Sequence, residues 1–191
     1  MQNHFHFSRF LFLPCKIPVL KKEAHASAND RIHMLELALK DRQSFKIDTR
    51  EIVRKTPSFM VETLESFRAE FGNEVSITLC LGMDAFLQLP KWYCYEKILD
   101  LSHLLVLNRS EINNQFIPKT IESLLLNHQT LDKNLILQKS FGTIVQFDAG
   151  NYPIASSEIR KEIALGHSVE NWLPHSVYQF ILKNGLYTSN S

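Results

Sequence analysis

The sequence predicts an α/β protein built on an open, mostly parallel sheet. Three observations favour this fold class. Continuous apolar runs such as residues 75–81 are typical of parallel strands that are covered on both faces. Strand patterns alternate with helical patterns along the chain, and neither an internal repeat nor a low-complexity linker interrupts them. A length of 191 residues is most simply organised as one domain over residues 1–191.

The first half of the chain alternates strand and helix patterns. Residues 10–13 are an apolar run that predicts a strand, which Pro14 ends. Apolar residues three and four positions apart predict a helix over residues 29–39. Residues 44–52 alternate apolar and polar side chains, which indicates a strand. A helix is predicted over residues 57–72, with proline at its start and glycine at its end.

The second half of the chain continues this alternation. Helices are predicted over residues 91–101, 120–126, 156–165 and 174–183, and Asn184-Gly185 ends the last one. Strands are predicted over residues 104–107, 135–137 and 144–147. Right-handed crossovers place the loops that follow parallel strands at one edge of the sheet, where ligands bind. Two such loops are Gly82-Met83-Asp84 and the turn at Ser156-Ser157.

Composition and charge argue against several classes of protein. A net charge of +1 gives no general attraction to nucleic acid or to an anionic membrane, so neither partner is expected. The three cysteines are widely spaced and form no Cys-x-x-Cys pair, which argues against a disulfide scaffold or zinc knuckle and favours a cytoplasmic location. The eight histidines lack the spacing of metal ligands, so no resident metal site is predicted.

The helix predicted to begin near Ser156 carries an unusual charge pattern. Arg160 and Lys161 fall in its first turns, where unpaired N–H groups already make the field positive. Cations at this place are favourable when an anion shares the site, and Ser156, Ser157 and Arg160 are suited to a phosphate or pyrophosphate. The alternative is an ordinary serine N-cap with exposed basic neighbours.

Three further positions each fit a binding role and a structural one. Asp84 follows a buried strand and either accepts a hydrogen bond from a ribose hydroxyl or caps a helix. Trp92 either stacks on a planar ring or packs in the core. Ser58-Phe59 at a helix start either offers backbone N–H groups to a carboxylate or phosphate, or is a routine cap. The glycine-rich loops of dinucleotide-binding and P-loop proteins are absent from the sequence.

Taken together and in order, six segments of the chain resemble those of bacterial nicotinate-nucleotide adenylyltransferases, in the HxGH nucleotidyltransferase superfamily. The segments are residues 31–38 (RIHMLELA), 57–64 (PSFMVETL), 81–84 (LGMD), 89–92 (LPKW), 154–160 (IASSEIR) and 184–187 (NGLY). The resemblance implies a Rossmann-like fold of the nucleotidyltransferase type, with helices on both faces of the sheet. It also implies transfer of AMP from ATP to nicotinate mononucleotide, with release of pyrophosphate and assistance from Mg²⁺.

The resemblance implies a role for each matching residue on the mononucleotide side. The loop that matches Ser58 and Phe59 holds the nicotinate carboxylate through backbone amides, and the tryptophan that matches Trp92 stacks on the pyridine ring. A Pro-Pro-His-Lys loop of the family here reads PVLK over residues 18–21, so only Lys21 is expected to serve as the cation on this side.

On the ATP side, the resemblance places Gly82 and Asp84 against the bound nucleotide. The motif that includes Ser156, Ser157 and Arg160 grips the ATP phosphates. One serine of that motif is replaced by Ala155, which removes one hydroxyl group from the family's pattern.

The family opens with a strand and the motif Gly-Gly-Thr-Phe-Asp-Pro-x-His-x-Gly-His, whose two histidines stabilise the charge on the transferred phosphoryl group. No residue of this chain matches that motif, so no catalytic residue is assigned. We therefore expect an N-terminally shortened chain whose sheet lacks its first strand. Two alternatives stay open: a catalytically inactive, nucleotide-binding remnant of the family, and an enzyme acting on nicotinamide mononucleotide or phosphopantetheine.

Overall fold

The computed structural model describes residues 4–16, 26–108, 116–150 and 154–188, which form helices and parallel strands. The strands are β1 (Phe10–Phe12), β2 (Phe45–Ile47), β3 (Thr78–Gly82), β4 (His103–Asn108) and β5 (Ile144–Asp148). The α-helices are α1 (Ala28–Leu39), α2 (Arg50–Val53), α3 (Met60–Phe71), α4 (Met83–Leu87), α5 (Ile98–Leu101), α6 (Lys119–His128), α7 (Leu135–Gln138), α8 (Ser156–Ala164) and α9 (His175–Lys183). Short 3-10 helices occupy Leu89–Lys91, Tyr95–Lys97 and Glu170–Trp172.

The described residues fall into two compact units. The first contains the described parts of Met1–Phe7 and Phe59–Tyr152, and the second contains those of Ser8–Ser58 and Pro153–Ser191. The organisation of residues 1–191 as one domain stays a prediction.

The first unit is built on a three-stranded sheet in the order β3-β4-β5, in which both pairs are parallel. Leu105 of β4 lies between Cys80 of β3 and Val145 of β5. Consecutive residues of a strand face opposite sides of the sheet. Leu104 and Val106 pack with apolar residues of α3, α4, α5 and α6, whereas Leu105 packs with α7. Helices therefore pack on both faces of the sheet at β4, whereas Cys80 of β3 is exposed, and the predicted Rossmann-like α/β fold class is confirmed.

The second unit has one pair of parallel strands, β1 and β2, and a separate apolar core. α1 begins with a capping box, in which Asp30 N–H donates to Ser27 Oγ at 3.1 Å and Ser27 N–H donates to Asp30 Oδ2 at 3.2 Å. Met34 of α1 packs against a buried cluster that α8 and α9 provide through Ile163, Val177 and Ile181. This core fixes the position of α8, which carries three predicted phosphate-binding residues.

The strand predicted over residues 135–137 is wrong, because these residues form α7. The Asp132 carboxylate accepts a hydrogen bond from Asn134 N–H at 3.0 Å, and Gln138 N–H donates to the Asn134 carbonyl at 3.1 Å. These bonds close a helical turn from which Ile136 reaches the core. A run of three apolar residues is too short to show the periodicity that separates a strand from a helix.

Two other elements differ from their predicted extent. The strand predicted over residues 44–52 ends at Ile47, and Asp48 turns the chain into α2 by accepting a hydrogen bond from Arg50 N–H at 2.9 Å. The helix predicted over residues 91–101 is broken, because Cys94 adopts a left-handed conformation with φ of 48°. The other predicted elements lie within a few residues of their expected bounds.

At the amino end of the first unit's sheet, Arg68 of α3 is buried and donates hydrogen bonds to four backbone carbonyls. Its Nε donates to Leu101 at 2.8 Å, its Nη1 to Gly72 at 3.1 Å and Val75 at 2.7 Å, and its Nη2 to Ser140 at 2.8 Å. Burial lowers the pKa of the guanidinium, which nevertheless stays protonated in proteins. One side chain therefore ties together the segments that lead into β3, β4 and β5.

His103, the first residue of β4, is fully buried beside this cluster of carbonyls. Its Nδ1 accepts a hydrogen bond from Thr143 N–H at 3.1 Å, so the proton is on Nε2, which donates to the Lys139 carbonyl at 3.0 Å. Burial is the largest cause that lowers the pKa of His103, and the charges of Arg68 and Lys139 lower it further. The folded protein therefore favours the neutral imidazole.

No helix within the described ranges is both long and apolar enough to cross a membrane.

We expect Arg68→Lys to lower the free energy of unfolding by about 2 kcal/mol or more. An ammonium group cannot reach all four carbonyls, and each buried acceptor left without a partner costs roughly 1–3 kcal/mol. Urea unfolding followed by circular dichroism measures this loss, with Arg9→Lys at an exposed position as the matched control. A loss no greater than that of the control would contradict the role assigned to Arg68.

The pKa of His103 predicts a pH dependence of stability. Because the folded-state pKa lies below the unfolded value of about 6.5, the unfolded chain binds a proton first as the pH falls. The contribution of His103 is complete above about pH 6.5 and is lost below it, at no more than about 1.4 kcal/mol per pH unit. His103→Gln keeps one donor and one acceptor but does not titrate. As the pH is lowered from 7.5 to 5, the wild type should lose unfolding free energy that His103→Gln does not lose, so the difference between the two proteins should shrink. A difference that stays constant over this range would refute the assignment.

Candidate functional site

The start of α3 contains the predicted residues Ser58 and Phe59. Phe59 is the N-cap residue, with φ −81° and ψ 127°, and Thr63 N–H donates to its carbonyl at 3.3 Å. A phenylalanine side chain has no acceptor with which to cap the first-turn N–H groups. Ser58 lies one residue too early to cap the helix, and its buried hydroxyl finds no hydrogen-bond partner among the described residues. Helix starts without a side-chain cap are suited to bind an anion.

The carboxyl end of β3 leads directly into α4 through Gly82, its N-cap residue. The backbone of Gly82, with φ −73° and ψ 157°, is open to any residue, and an added Cβ would meet no described atom within 4 Å. The fold itself therefore does not require glycine here, whereas a ligand that approaches the backbone closely does favour it. Asp84 is exposed in the first turn of α4, so it is not the helix cap that the sequence allowed.

The segment of residues 92–94 follows the turn Leu89–Lys91. Trp92 is half-buried, donates its backbone N–H to the Leu89 carbonyl at 2.9 Å and packs against the core of the first unit. Its ring is thus partly in the core and partly accessible, and its stacking on a planar ring stays a prediction. Tyr93 is 56% exposed, and its ring centroid lies 4.6 Å from that of Phe59. The structure therefore brings the start of α3 and the Trp92 segment into contact.

In the second unit, α8 begins at Ser156 with Ala155 as its N-cap residue. Alanine has no side-chain acceptor, so the predicted alternative of a serine N-cap is wrong for this helix. Ser156 and Ser157 are the exposed first two residues of α8, where their hydroxyls and the backbone N–H groups face solvent together. Arg160 follows one turn later and is half-buried.

The charges of Arg160 and Arg31 both act on the half-buried Tyr187. Burial is the largest cause that raises the pKa of Tyr187, and the charges of Arg160 and Arg31 oppose that rise. Arg31 Nη1 donates to the Cys15 carbonyl at 2.7 Å, whereas its buried Nε finds no partner among the described residues. Tyr187 has a left-handed backbone with φ of 65°, which is rare for a residue with a side chain. Two cations and one carboxylate, that of Asp30, therefore act on a half-buried phenol in the unit that contains α8.

The structure places eight of the nine predicted site residues and divides them between the two units. Phe59, Gly82, Asp84 and Trp92 are in the first unit; Ser58, Ser156, Ser157 and Arg160 are in the second. Lys21 lies in residues 17–25, outside the described residues. Over the described ranges, no group of three or more His, Cys, Asp or Glu side chains is placed to hold a metal ion.

Sequence reasoning missed Tyr93 and Tyr187. Tyr93 directly follows Trp92, and Tyr187 ends the NGLY segment, so both lie in or beside segments that carried the resemblance. Their contacts, with Phe59 and near Arg160, join residues far apart in the chain, and a single sequence shows no sign of such pairs.

Residues 2–162 match the protein-family model described as cytidylyltransferase-like. The chain is 46% identical over 187 residues to a probable nicotinate-nucleotide adenylyltransferase of Legionella pneumophila (strain Corby), a match that covers 98% of this chain and 88% of that relative. It is 34% identical over 180 residues to a protein of the same name from Serratia proteamaculans (strain 568), covering 94% of this chain and 82% of that one.

Among solved structures, the chain is similar to Plasmodium falciparum nicotinic acid mononucleotide adenylyltransferase complexed with NaAD, with a TM-score of 0.63. The match covers 94% of this chain and 82% of the other. At 18% sequence identity, this similarity shows the fold alone.

Proposed function

Because the chain belongs to the nicotinate-nucleotide adenylyltransferases of the cytidylyltransferase-like family, we propose that it transfers the adenylyl group of ATP to nicotinate mononucleotide. The products are nicotinate adenine dinucleotide and pyrophosphate, in the biosynthesis of NAD. The observation that carries this conclusion is the 46% identity to a probable enzyme of this name along 98% of the chain. In the reaction, a phosphate oxygen of the mononucleotide forms a bond to the α-phosphorus of ATP, and the bond to the leaving pyrophosphate breaks.

The mononucleotide is bound by the start of α3 and by Trp92 in this proposal. Backbone N–H groups at Ser58 and Phe59 bind the nicotinate carboxylate, which the absence of a side-chain cap on α3 supports. Trp92 stacks on the pyridine ring, and the packing of its other side against the core holds the indole in one orientation. Lys21 supplies a cation to the substrate.

In this proposal, ATP is bound by the residues that match the nucleotide-binding motifs of the family. Ser156, Ser157 and Arg160 bind its phosphates, since hydroxyls, first-turn N–H groups and a guanidinium suit a polyphosphate. Gly82 and Asp84 lie against the nucleotide, and Asp84 accepts a hydrogen bond from a ribose hydroxyl. Phosphoryl transfer is accelerated mainly by positioning and charge stabilisation, which such residues supply.

Mg²⁺ enters with ATP as part of the substrate. It keeps several waters and prefers phosphate oxygens together with one or two carboxylates, so it does not need a cage of protein ligands. A cytoplasmic location is part of the same proposal and suits the three widely spaced cysteines Cys15, Cys80 and Cys94.

We expect the protein to bind nicotinate mononucleotide at least about tenfold more tightly than nicotinamide mononucleotide. Hydrogen bonds from N–H groups to a charged carboxylate are about twice as strong as those to a neutral amide, and tenfold corresponds to about 1.4 kcal/mol. Isothermal titration calorimetry measures both affinities, and pyrophosphate release with ATP and Mg²⁺ measures turnover. Acid-selective binding without pyrophosphate release would favour the inactive, nucleotide-binding remnant, and equal affinities would contradict the assignment of the carboxylate site.

Arg160→Ala is expected to weaken ATP binding by about tenfold or more and to change the affinity for nicotinate mononucleotide little, because a charged hydrogen bond to phosphate is lost. Trp92→Leu should weaken the binding of nicotinate mononucleotide and change the affinity for ATP little, since leucine keeps apolar packing but has no aromatic face. Titration of each variant with each ligand makes the test, and Lys183→Ala, an exposed cation of the second unit, is the control for lost charge. Equal effects on the two ligands would refute these roles.

A further inference from the structure

Tyr187 is a half-buried residue of the second unit that no step of the proposed function uses. It follows the end of α9, and its ring packs against the apolar core of that unit. The same core contains Ile163 of α8, which is a neighbour of Arg160 because residues three apart lie side by side on a helix surface. Tyr187 therefore packs on the same core as the part of α8 that carries Arg160.

Two residues with left-handed backbones hold the chain on this core after α9. Gly185, with φ of 59°, ends the helix: its N–H donates to the Leu182 carbonyl at 3.2 Å, and Leu186 N–H donates to the Ile181 carbonyl at 3.1 Å. Tyr187 has φ of 65°, which is unfavourable for a residue with a Cβ and persists only where surrounding contacts hold it. The helix end and the packing of the ring together fix the place of the phenol.

The phenol of Tyr187 is uncharged although two cations act on it. Burial is the largest cause that raises its pKa, the charges of Arg160 and Arg31 oppose the rise, and the charge of Asp30 adds to it. A phenol whose pKa lies above the usual value of about 10 keeps its proton at neutral pH. Tyr187 therefore brings no negative charge to the surroundings of Arg160.

The two cations differ in what they bond. Arg31 is bonded to the backbone, because its Nη1 donates to the Cys15 carbonyl at 2.7 Å and its Nη2 to the Lys16 carbonyl at 3.2 Å. In the part of the chain that the structure describes, the Arg160 guanidinium makes no hydrogen bond or ion pair. Arg160 is therefore the cation whose charge is left for a ligand.

We propose that Tyr187 is a positioning residue for the ATP phosphates: its uncharged ring supports the Arg160 side chain and leaves the guanidinium charge to the polyphosphate. The inference rests on the proposed function, in which Ser156, Ser157 and Arg160 bind those phosphates. Long side chains of a helix extend over the preceding turn, which for Arg160 is the turn of the two serines. An acidic side chain in place of the phenol would pair with Arg160 and compete with ATP.

A matched pair of substitutions tests the charge. Tyr187→Gln and Tyr187→Glu give side chains of nearly equal size that differ by one negative charge. We expect the dissociation constant for ATP to be about tenfold higher in Tyr187→Glu than in Tyr187→Gln, because an internal carboxylate neutralises the guanidinium. The constant for nicotinate mononucleotide should differ by less than about twofold. Isothermal titration calorimetry on the full chain measures both, and Lys183→Gln and Lys183→Glu, at an exposed position of the same unit, are the control pair.

A second pair of substitutions tests the ring. Tyr187→Phe keeps the ring and should bind ATP like the wild type. Tyr187→Leu keeps apolar packing but not the ring, and should raise the dissociation constant for ATP by about 2- to 12-fold, the cost of ordering one long side chain on binding. Leu186→Ala removes a half-buried neighbour from the same core and is the matched control, expected to lower the melting temperature without changing ATP affinity.

A double-mutant cycle separates an effect on Arg160 from one on Arg31. If Tyr187 acts through Arg160, the difference between Tyr187→Gln and Tyr187→Glu falls below about twofold in an Arg160→Ala background. Where thermal melting shows that a variant of the charge pair fails to fold, Tyr187→Asn and Tyr187→Asp replace that pair, since these residues tolerate a left-handed backbone. Tyr187→Met likewise replaces Tyr187→Leu.

Different outcomes reject different parts of the proposal. Equal ATP affinities in the charge pair, an equal loss in Tyr187→Phe and Tyr187→Leu, or a charge effect that persists without Arg160 would overturn the role of Tyr187 alone. A wild type that does not bind ATP, or an Arg160→Ala variant that binds ATP as tightly as the wild type, would overturn this inference together with the phosphate site of the proposed function.

Discussion

The first unit depends on one buried cation, the guanidinium of Arg68. It donates to carbonyls that precede β3, β4 and β5 and to the carbonyl of Gly72 at the end of α3. A planar group with five donors is the side chain best able to bond several acceptors in fixed directions. Each strand therefore enters the sheet at a set position, and because the strands are parallel, their carboxyl ends are set as well. The hydrogen bonds of Arg68 at the amino end of the sheet therefore help to set where Gly82 and Asp84 lie at the carboxyl end of β3.

The two ends of this sheet differ in their hydrogen bonding. At the amino end, Arg68 and the neutral His103 pair with the backbone, as buried polar groups must. At the carboxyl end, β3 passes into α4 through Gly82, the N-cap residue, which has no side chain that could accept a hydrogen bond. The N-cap residue of α3, Phe59, has no side-chain acceptor either. α8 in the second unit begins in the same way, at Ala155. Ser58, Phe59, Gly82, Ser156 and Ser157 lie at or beside helix starts where the N-cap residue offers no side-chain acceptor.

The sequence correctly predicted the elements that have a long apolar pattern or an end marked by a residue such as glycine. The apolar strands β3, β4 and β5 and the helix ending at Gly72 are close to their predicted bounds, whereas three apolar residues at 135–137 could not distinguish α7 from a strand. The break at Cys94 has no glycine or proline to signal it. Serine and aspartate near three helix starts suggested caps, but the cap residues lie one or two positions away, within the uncertainty of any helix boundary read from sequence. Contacts such as Phe59–Tyr93 depend on folding and are not encoded in any local pattern.

The electrostatics of the second unit give a physical reason for a polyphosphate at α8. Arg160 and Arg31 both act on the half-buried Tyr187, and two like charges in a partly desolvated place repel each other. Asp30 offsets part of that repulsion, and its carboxylate also accepts a hydrogen bond from Ser27 Oγ at 2.6 Å. The partial positive charge at the start of α8 adds to the excess. Glu158 in the first turn of α8 offsets part of this charge, and the polyphosphate of the proposed function would add further negative charge.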